Sequence, residues 1–416
     1  MRKLRSGSAI LAVVALALVG TTGAQASSSF VEPATVLHTF AGSHPGGLFG
    51  YAVSELRDID GDGVMEAIID EPFDAGGHVY VYSGRTGALL RAWHGQGAER
   101  FGYAIADAGD TNRDGIPDVV VGAPAAGPGH AYVFSGANGE LLRTLSGVHD
   151  GDFFGAAVSS AGDNDRDGFA DVFIGAPKTK QGGVESGRAY VFSGRTGELL
   201  RKVDAGDRGD HFGSATDWTA DVTGDGVADL VVGARDAGPG DPGPGKLYVF
   251  SGANGRPVFE VSPPPTGQDL GWFFVAGVGD VNGDGVPDVY GADFDDSADF
   301  SGRAAVYSGR DGTELHSWNG APAAGLGPGR EAGDVNGDGR PDLAIGSYTY
   351  GADGAGRVEI YSGADGSLLR RLTSTTPGES FGYDTVGVGD VNGDGIPDLL
   401  ASAASGDTVY LIAGKR

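Results

Sequence analysis

Seven times along 416 residues an acidic nonapeptide recurs, with oxygen-bearing side chains at positions one, three, five and nine and glycine at position six. The first copies place Asp58, Asp60, Asp62 and Glu66, then Asp110, Asn112, Asp114 and Asp118, then Asp163, Asp165, Asp167 and Asp171 at those positions. The fourth and fifth place Asp221, Thr223, Asp225 and Asp229, and Asp280, Asn282, Asp284 and Asp288. The last two place Asp334, Asn336, Asp338 and Asp342, and Asp390, Asn392, Asp394 and Asp398. Alternate residues of a tight loop converge on one centre, and glycine at position six permits the sharp turn. Position seven adds a backbone carbonyl, supplied in turn by Val64, Ile116, Phe169, Val227, Val286, Arg340 and Ile396. A cage of hard oxygens with this spacing suits Ca²⁺, in the manner of the first half of an EF-hand loop. Mg²⁺, which demands stricter octahedral geometry, is second choice. The loops offer neither thiol nor repeated histidine, so zinc fits them poorly. An EF-hand itself is disfavoured, because the last acid stands at position nine and not twelve.

The loops are not equal. Asp60 and Asp165 put a carboxylate at position three, so those two loops should bind most tightly; Thr223 offers only a hydroxyl, so the fourth should be weakest. Arg113 and Arg166 replace the usual glycine at position four and should point outward. The seven loops hold 23 of the 56 acidic residues, and the remaining 33 nearly balance 29 basic ones. The net charge of −27 is therefore mostly site charge, and it argues against nucleic-acid binding. No cysteine is present, which excludes disulfides, thiol catalysis and thiolate-bound metals.

Loop starts lie 52, 53, 58, 59, 54 and 56 residues apart, the mark of internal repetition. Each loop sits in a larger unit. Before it comes a short apolar stretch opened by Phe-Gly, at Phe49, Phe101, Phe154, Phe212 and Phe381. After it comes an apolar run such as Val119-Val120-Val121, often closing in Gly-Ala-Pro. Next is an aromatic, β-branched run with Ser-Gly behind it, such as Tyr132-Val133-Phe134, and then a Gly-containing turn and a last short run. Short runs rich in Val, Tyr and Phe, bounded by Gly, Asn and Asp, read as strands. Four per unit, repeated, predict a blade of a β-propeller, and seven units predict an all-β ring of seven four-stranded blades. The last unit ends one strand short, and a spare strand at residues 35–41 precedes the first. The spare strand is expected to complete the last blade and close the ring.

Phe-Gly, an Asp-x-Asp/Asn-x-Asp-Gly-x-x-Asp loop and Gly-Ala-Pro together resemble the FG-GAP repeat of the integrin α-subunit N-terminal β-propeller. The resemblance spans residues 49–416 plus the closing strand. It implies structural Ca²⁺, up to seven ions, held by side chains at positions one, three, five and nine and the carbonyl at seven. Phe-Gly is missing from units five and six, where Trp272-Phe273-Phe274 and Gly327-Pro328-Gly329 stand, and Gly-Ala-Pro decays to Gly233-Ala234-Arg235, Gly291-Ala292-Asp293 and Gly346-Ser347-Tyr348. Integrins carry the loop in only some blades, whereas here all seven have it.

Residues 1–26 read as a signal peptide: Arg2, Lys3 and Arg5, a ten-residue apolar core from Ile10 to Val19, and Ala24-Gln25-Ala26 as cleavage site. Ten apolar residues fall short of the ~20 a spanning helix needs. Residues 27–416 are thus expected to be one secreted (or periplasmic) propeller, a monomer with no membrane span after cleavage. Strand alternation puts the acidic loops on one face and the variable loops on the other, where an extracellular protein or glycan partner is expected. Candidates there are Arg100, Trp272, Phe273, Asp293–Asp296, Arg330, Tyr348 and Tyr350, with His44, His94, His149 and His211 in equivalent loops. Arg208-Gly209-Asp210 is an adhesion tripeptide, read as coincidence in a chain this rich in Gly and Asp. An adhesion-like interaction module, not an enzyme, is the expected function. A structural envelope or matrix component is the alternative, and a propeller hydrolase or lyase a further one that would need unrepeated acids clustered on the axis.

Overall fold

The computed structural model describes residues 25–26, 29–44, 46–74, 76–204, 209–238, 243–264, 269–293, 299–351 and 353–416. The expected leader otherwise lies outside these residues, as does Arg208.

Each of the first six repeats forms an antiparallel sheet of four strands taken in chain order, and the seventh supplies three. In the second blade these are Ala104–Gly109, Asp118–Ala123, His130–Phe134 and Leu141–Ser146. The second strand is fully buried in every blade, consistent with near-continuous apolar runs such as Val119-Val120-Val121, while the outermost strand alternates and leaves Leu141 exposed. Seven hydrophobic clusters each join two neighbouring blades, the seventh with the first included. The first strands touch one another in a closed circuit, so they surround the axis.

The motif glycines sit where blades meet. Gly102 N–H donates to the Gly122 carbonyl at 2.9 Å, and a Cβ on Gly122 would stand 2.0 Å from the Gly155 carbonyl of the next blade. The Ser-Gly glycine is equally constrained: a Cβ on Gly309 would come within 1.8 Å of the Pro287 carbonyl. Only glycine permits these approaches. The Phe of Phe-Gly is buried in all five units that have it. In units five and six the structure corrects the sequence reading. Leu270-Gly271 and Leu326-Gly327 hold the Phe-Gly places, since Gly245 bridges Leu270 as Gly187 bridges Phe212, and Leu326 crowds Gly302 as Phe212 crowds Gly187.

The closing strand is present. Thr35–Ala41 pairs antiparallel with Thr408–Ile412, with Phe40 opposite Val409, as the outer strand of the seventh blade. Gln25–Ala26 adds a short fifth strand beyond it. The chain between also grips blade six, where Val31 N–H reaches the Thr373 carbonyl and Glu32 accepts from Thr373 N–H, while the Phe30 ring packs on Phe381 and Tyr410 of blade seven. No helix among the described residues is long and apolar enough to cross a membrane.

Candidate metal loops and the axial channel

Every acidic loop joins the first and second strands of its blade, so all seven lie on one face. Their folding is set by short-range hydrogen bonds from backbone to carboxylate. Asp280 Oδ1 accepts from Gly283 and Asp284 N–H, and its Oδ2 from Gly285. Asn282 Oδ1 accepts from Asp284 N–H and Asp284 Oδ1 from Val286 N–H. The position-one and position-five bonds recur in every loop, among them Asp58, Asp110, Asp163, Asp221, Asp334 and Asp390 at position one. Asp280 Oδ2 and Asp284 Oδ1 each accept a single bond and keep a second lone pair for a cation. In the first loop oxygens of Asp58, Asp60 and Asp62 lie within 4.8 Å of one another, and in the third so do oxygens of Asp163, Asp165 and Asp171. These are the two loops with a carboxylate at position three. The donors are hard and convergent, and they fit Ca²⁺.

Thr223 departs from the pattern. Its hydroxyl donates to Asp221 at 3.2 Å and does not receive the position-five N–H. Arg113 and Arg166 adopt the left-handed conformation of the glycine they replace, both at φ 63°. They point out of their own loops, toward the next blade: Arg166 reaches the Asp225 carbonyl, and the Arg113 guanidinium lies over Phe169.

Position nine does more than its sequence spacing implied. In all seven loops this buried carboxylate accepts N–H bonds from loop position two and from the glycine just after the third strand, which follows Ser in six units and Ala413 in the seventh. Asp288 takes them from Val281 and Gly309, both at 3.0 Å. Asp118 serves Thr111 and Gly136, Asp171 serves Asn164 and Gly194, and Glu66 serves Ile59 and Gly84. Asp229, Asp342 and Asp398 repeat the arrangement. Burial pushes the Asp118, Asp288 and Asp398 carboxyls up to about 6, and those of Glu66 and Asp171 up to about 7. Position one behaves oppositely in two loops: backbone N–H donors outweigh burial and hold Asp58 and Asp221 below the ordinary carboxylate range. Arginines from the turn after Ser-Gly pair with position five in alternate blades, Arg85 with Asp62 and Arg310 with Asp284 at 3.1 Å, and Arg195 with Asp167 at 3.7 Å.

A cavity of about 650 Å³ runs along the axis, walled by the first strands. At the variable-loop end stand Tyr51, Tyr103, Tyr383, Tyr348 and Phe273; toward the other lie Asp110, Asp163 and Phe169 of the acidic loops. Tyr51 packs at 5.5 Å on Tyr103 and 5.6 Å on Tyr383. Trp218, on the wall, is 42% exposed. Arg330 donates to the Val53 carbonyl at 2.7 Å and to Asp384 at 3.1 Å, bridging three blades. Around it, burial raises Glu55 to about 7 and Asp217 to about 6. Glu55 Oε2 has no hydrogen-bond partner among the described residues.

The structure therefore moves Arg330 from the variable loops to the axial wall. Arg100 lies over Phe73, and Trp272 stacks on Phe273 beneath Arg235. Tyr350 lies under the Arg357 guanidinium, Tyr348 packs edge-on against Tyr383, and Asp293 is buried at the end of its strand. Positions 294–296 fall outside the described residues. The four loop histidines do not converge: His94 ends an outer strand, His149 faces Asp152, and His211 is hydrogen-bonded to Asp236. His44 stacks on His78, and His94, paired with His78 across the strands, lies 6.2 Å from the same ring. Asp210 is only 5% exposed, which does not present the tripeptide. The axial acids and Trp218 escaped the sequence reading because they stand in the first strands, outside the motifs by which the repeat was recognised. The available signal was Tyr following Phe-Gly in three units, at Tyr51, Tyr103 and Tyr383.

Residues 101–137 and 154–192 match the FG-GAP repeat family, and residues 221–291 and 334–401 match its FG-GAP-like form. Integrin alpha-3 of Cricetulus griseus is 31% identical over 32% of this chain and 15% of its own length. Integrin alpha-PS5 of Drosophila melanogaster is 33% identical over 34% of this chain and 16% of its own. Integrin alpha-5 of Xenopus laevis is 29% identical over 47% of this chain and 20% of its own. The matches thus span a fifth or less of these relatives. Among solved structures, BBS1N from its complex with ARL6DN, soaked with lead, superposes with a TM-score of 0.56 over 94% of this chain and 98% of the other. At 14% identity that likeness is one of fold. By its seven blades, its closing N-terminal strand and its repeat family, the chain is an FG-GAP-repeat protein, an integrin-α-like seven-bladed β-propeller.

Proposed function

We propose that the protein is an exported, monomeric interaction module in which Ca²⁺ in the acidic loops stiffens the ring and a glycan enters the axial channel from the variable-loop face. The likeness to integrin α subunits supports an adhesion-like role. The single observation that carries the ligand class is Trp218, an indole left exposed inside a channel walled by carboxylates. Sugar rings stack on aromatic faces while their hydroxyls donate to carboxylates, and a largely preformed cavity with few polar groups is how such sites are built. A structural matrix component has no need of such a cavity.

The test is a glycan array probed with calcium-loaded protein and with Trp218→Ala and Tyr103→Ala. Binding of a defined glycan set, lost in both variants, is expected; absence of binding, or binding that both variants retain, contradicts the reading.

One observation favours a second reading. Unrepeated acids do cluster on the axis, and Glu55, raised to about 7, lies in the range of a general acid. A hydrolase or lyase would release new reducing ends or unsaturated sugars from a bound glycan, and Glu55→Gln would abolish that release while preserving binding.

A further inference from the structure

We propose that His44, Glu71, Asp74 and His78 form a transition-metal site, of the kind zinc occupies, at the seam of the ring. His44 lies in the connection between the closing strand and blade one. Glu71 ends the second strand of that blade, Asp74 lies in its next loop, and His78 begins the third strand. The site is on the variable-loop face, opposite the acidic loops.

Three ligand groups, His44, Asp74 and His78, face one another, and Glu71 stands beside His44 as a fourth. His44 Nδ1 is 3.0 Å from Glu71 Oε2 and 3.6 Å from Asp74 Oδ2, and His78 Nε2 is 3.2 Å from Asp74 Oδ2. One atom each from His44, Asp74 and His78 lie mutually within 4.8 Å. Zinc bonds to nitrogen and oxygen of about 2.0–2.2 Å give a tetrahedron with edges of roughly 3.3–3.6 Å. These three separations scatter about that length, while Glu71, outside the mutual group, must turn toward the ion to complete the tetrahedron. Two imidazoles with two carboxylates select zinc, copper, nickel or cobalt over calcium, which takes oxygen alone.

The carboxylates are themselves held. Glu71 is buried; its Oε1 accepts from His44 N–H at 3.2 Å and its Oε2 from the Tyr80 hydroxyl at 3.3 Å. Such outer partners orient a ligand. The two histidine rings lie nearly parallel, 4.8 Å apart, so one ring must turn for both nitrogens to aim their in-plane lone pairs at a single ion. An ion there displaces the proton His44 shares with Glu71 and replaces an ion pair with a bond joining the N-terminal connection to blade one. The same connection is tied to blade seven, where Asp407 accepts from Gly46 and Phe49 N–H. A metal at this point therefore fastens the closure itself, independently of the loops across the ring.

Zn²⁺ is titrated calorimetrically into the full chain in excess Ca²⁺, and Co²⁺ is titrated in parallel with visible absorption as readout. One equivalent should bind, Co²⁺ should give the intense bands of tetrahedral coordination, and zinc should raise the melting temperature. His44→Ala and His78→Ala should each weaken binding by more than about tenfold, the loss expected from removing even an outer partner of a zinc ligand. His130→Ala, in the third strand of blade two, should leave it unchanged. His78→Gln, a milder change, guards against misfolding and should also lose the cobalt bands. Zinc binding equal in wild type and in the histidine variants, or octahedral cobalt spectra throughout, overturns the site and leaves only ion pairs.

Discussion

At the scale of the residue, one repeated position carries two jobs. Asp288 and its six counterparts can face a cation and also terminate two backbone N–H groups that nothing else satisfies. Each orphaned donor costs about 1–3 kcal/mol. Asp288→Ala should therefore lose about 2–4 kcal/mol even in chelator, whereas Asp284→Ala, at an exposed position, should cost stability chiefly when calcium is present. Urea melts with and without EGTA distinguish the two. These groups also set a pH dependence. Folding raises Asp118, Asp288 and Asp398 from the ordinary value near 4 to about 6, and Glu66 and Asp171 to about 7. A carboxyl raised on folding favours the folded state while it is protonated, and that advantage fades as pH climbs through the folded value. The metal-free protein should melt higher at pH 5 than at pH 7.5. Calcium, by favouring the ionised forms, should cancel or reverse that order. A metal-free melting temperature that rises over the interval would contradict the assignment. The spacing of the acids was legible in the sequence; their second role was not, because the glycine each one caps stands some twenty residues away on another strand.

At the scale of the element, the punctuation was legible and its substitutions were not. Phe-Gly and Gly-Ala-Pro announced the strand boundaries because each glycine there must admit a neighbouring backbone. In units five and six, Leu270 and Leu326 fill the same buried place without the aromatic signature, so local pattern pointed one or two residues too far along. Gly122→Ala should destabilise by more than about 2 kcal/mol, since its Cβ would stand 2.0 Å from the Gly155 carbonyl and overpacking of a tight contact costs ~1–3 kcal/mol or more. The closing strand was foreseen from a strand count, one too few at the end and one too many at the start. Phe40, buried where blades seven and one meet, anchors it. Phe40→Ala should cost about 3–5 kcal/mol and speed hydrogen exchange in Thr408–Ile412 more than in the strands of blade four. Exchange that accelerates evenly around the ring would show that the strand is not a separate clasp.

At the scale of the whole molecule, the ring has no disulfide, and its blades meet through seven apolar seams of comparable make-up. Extracellular calcium modules bind at about 10⁻⁴–10⁻³ M. At ten times that concentration one site adds roughly 1.4 kcal/mol to the folded state, and seven independent sites about 10 kcal/mol, comparable with the roughly 5–15 kcal/mol of an ordinary domain. The axial channel belongs to this scale too. No single repeat contains it, and its acids, arginine and indole come together only when the first strands close around the axis, which is why the repeat pattern could not show it. The claim beneath all of this is that the acidic loops hold cations that brace the ring. The most direct measurement is the metal content of purified protein after dialysis against calcium and removal of free ion. Several equivalents of calcium per chain, approaching seven, are predicted; a content of zero to one would contradict the account.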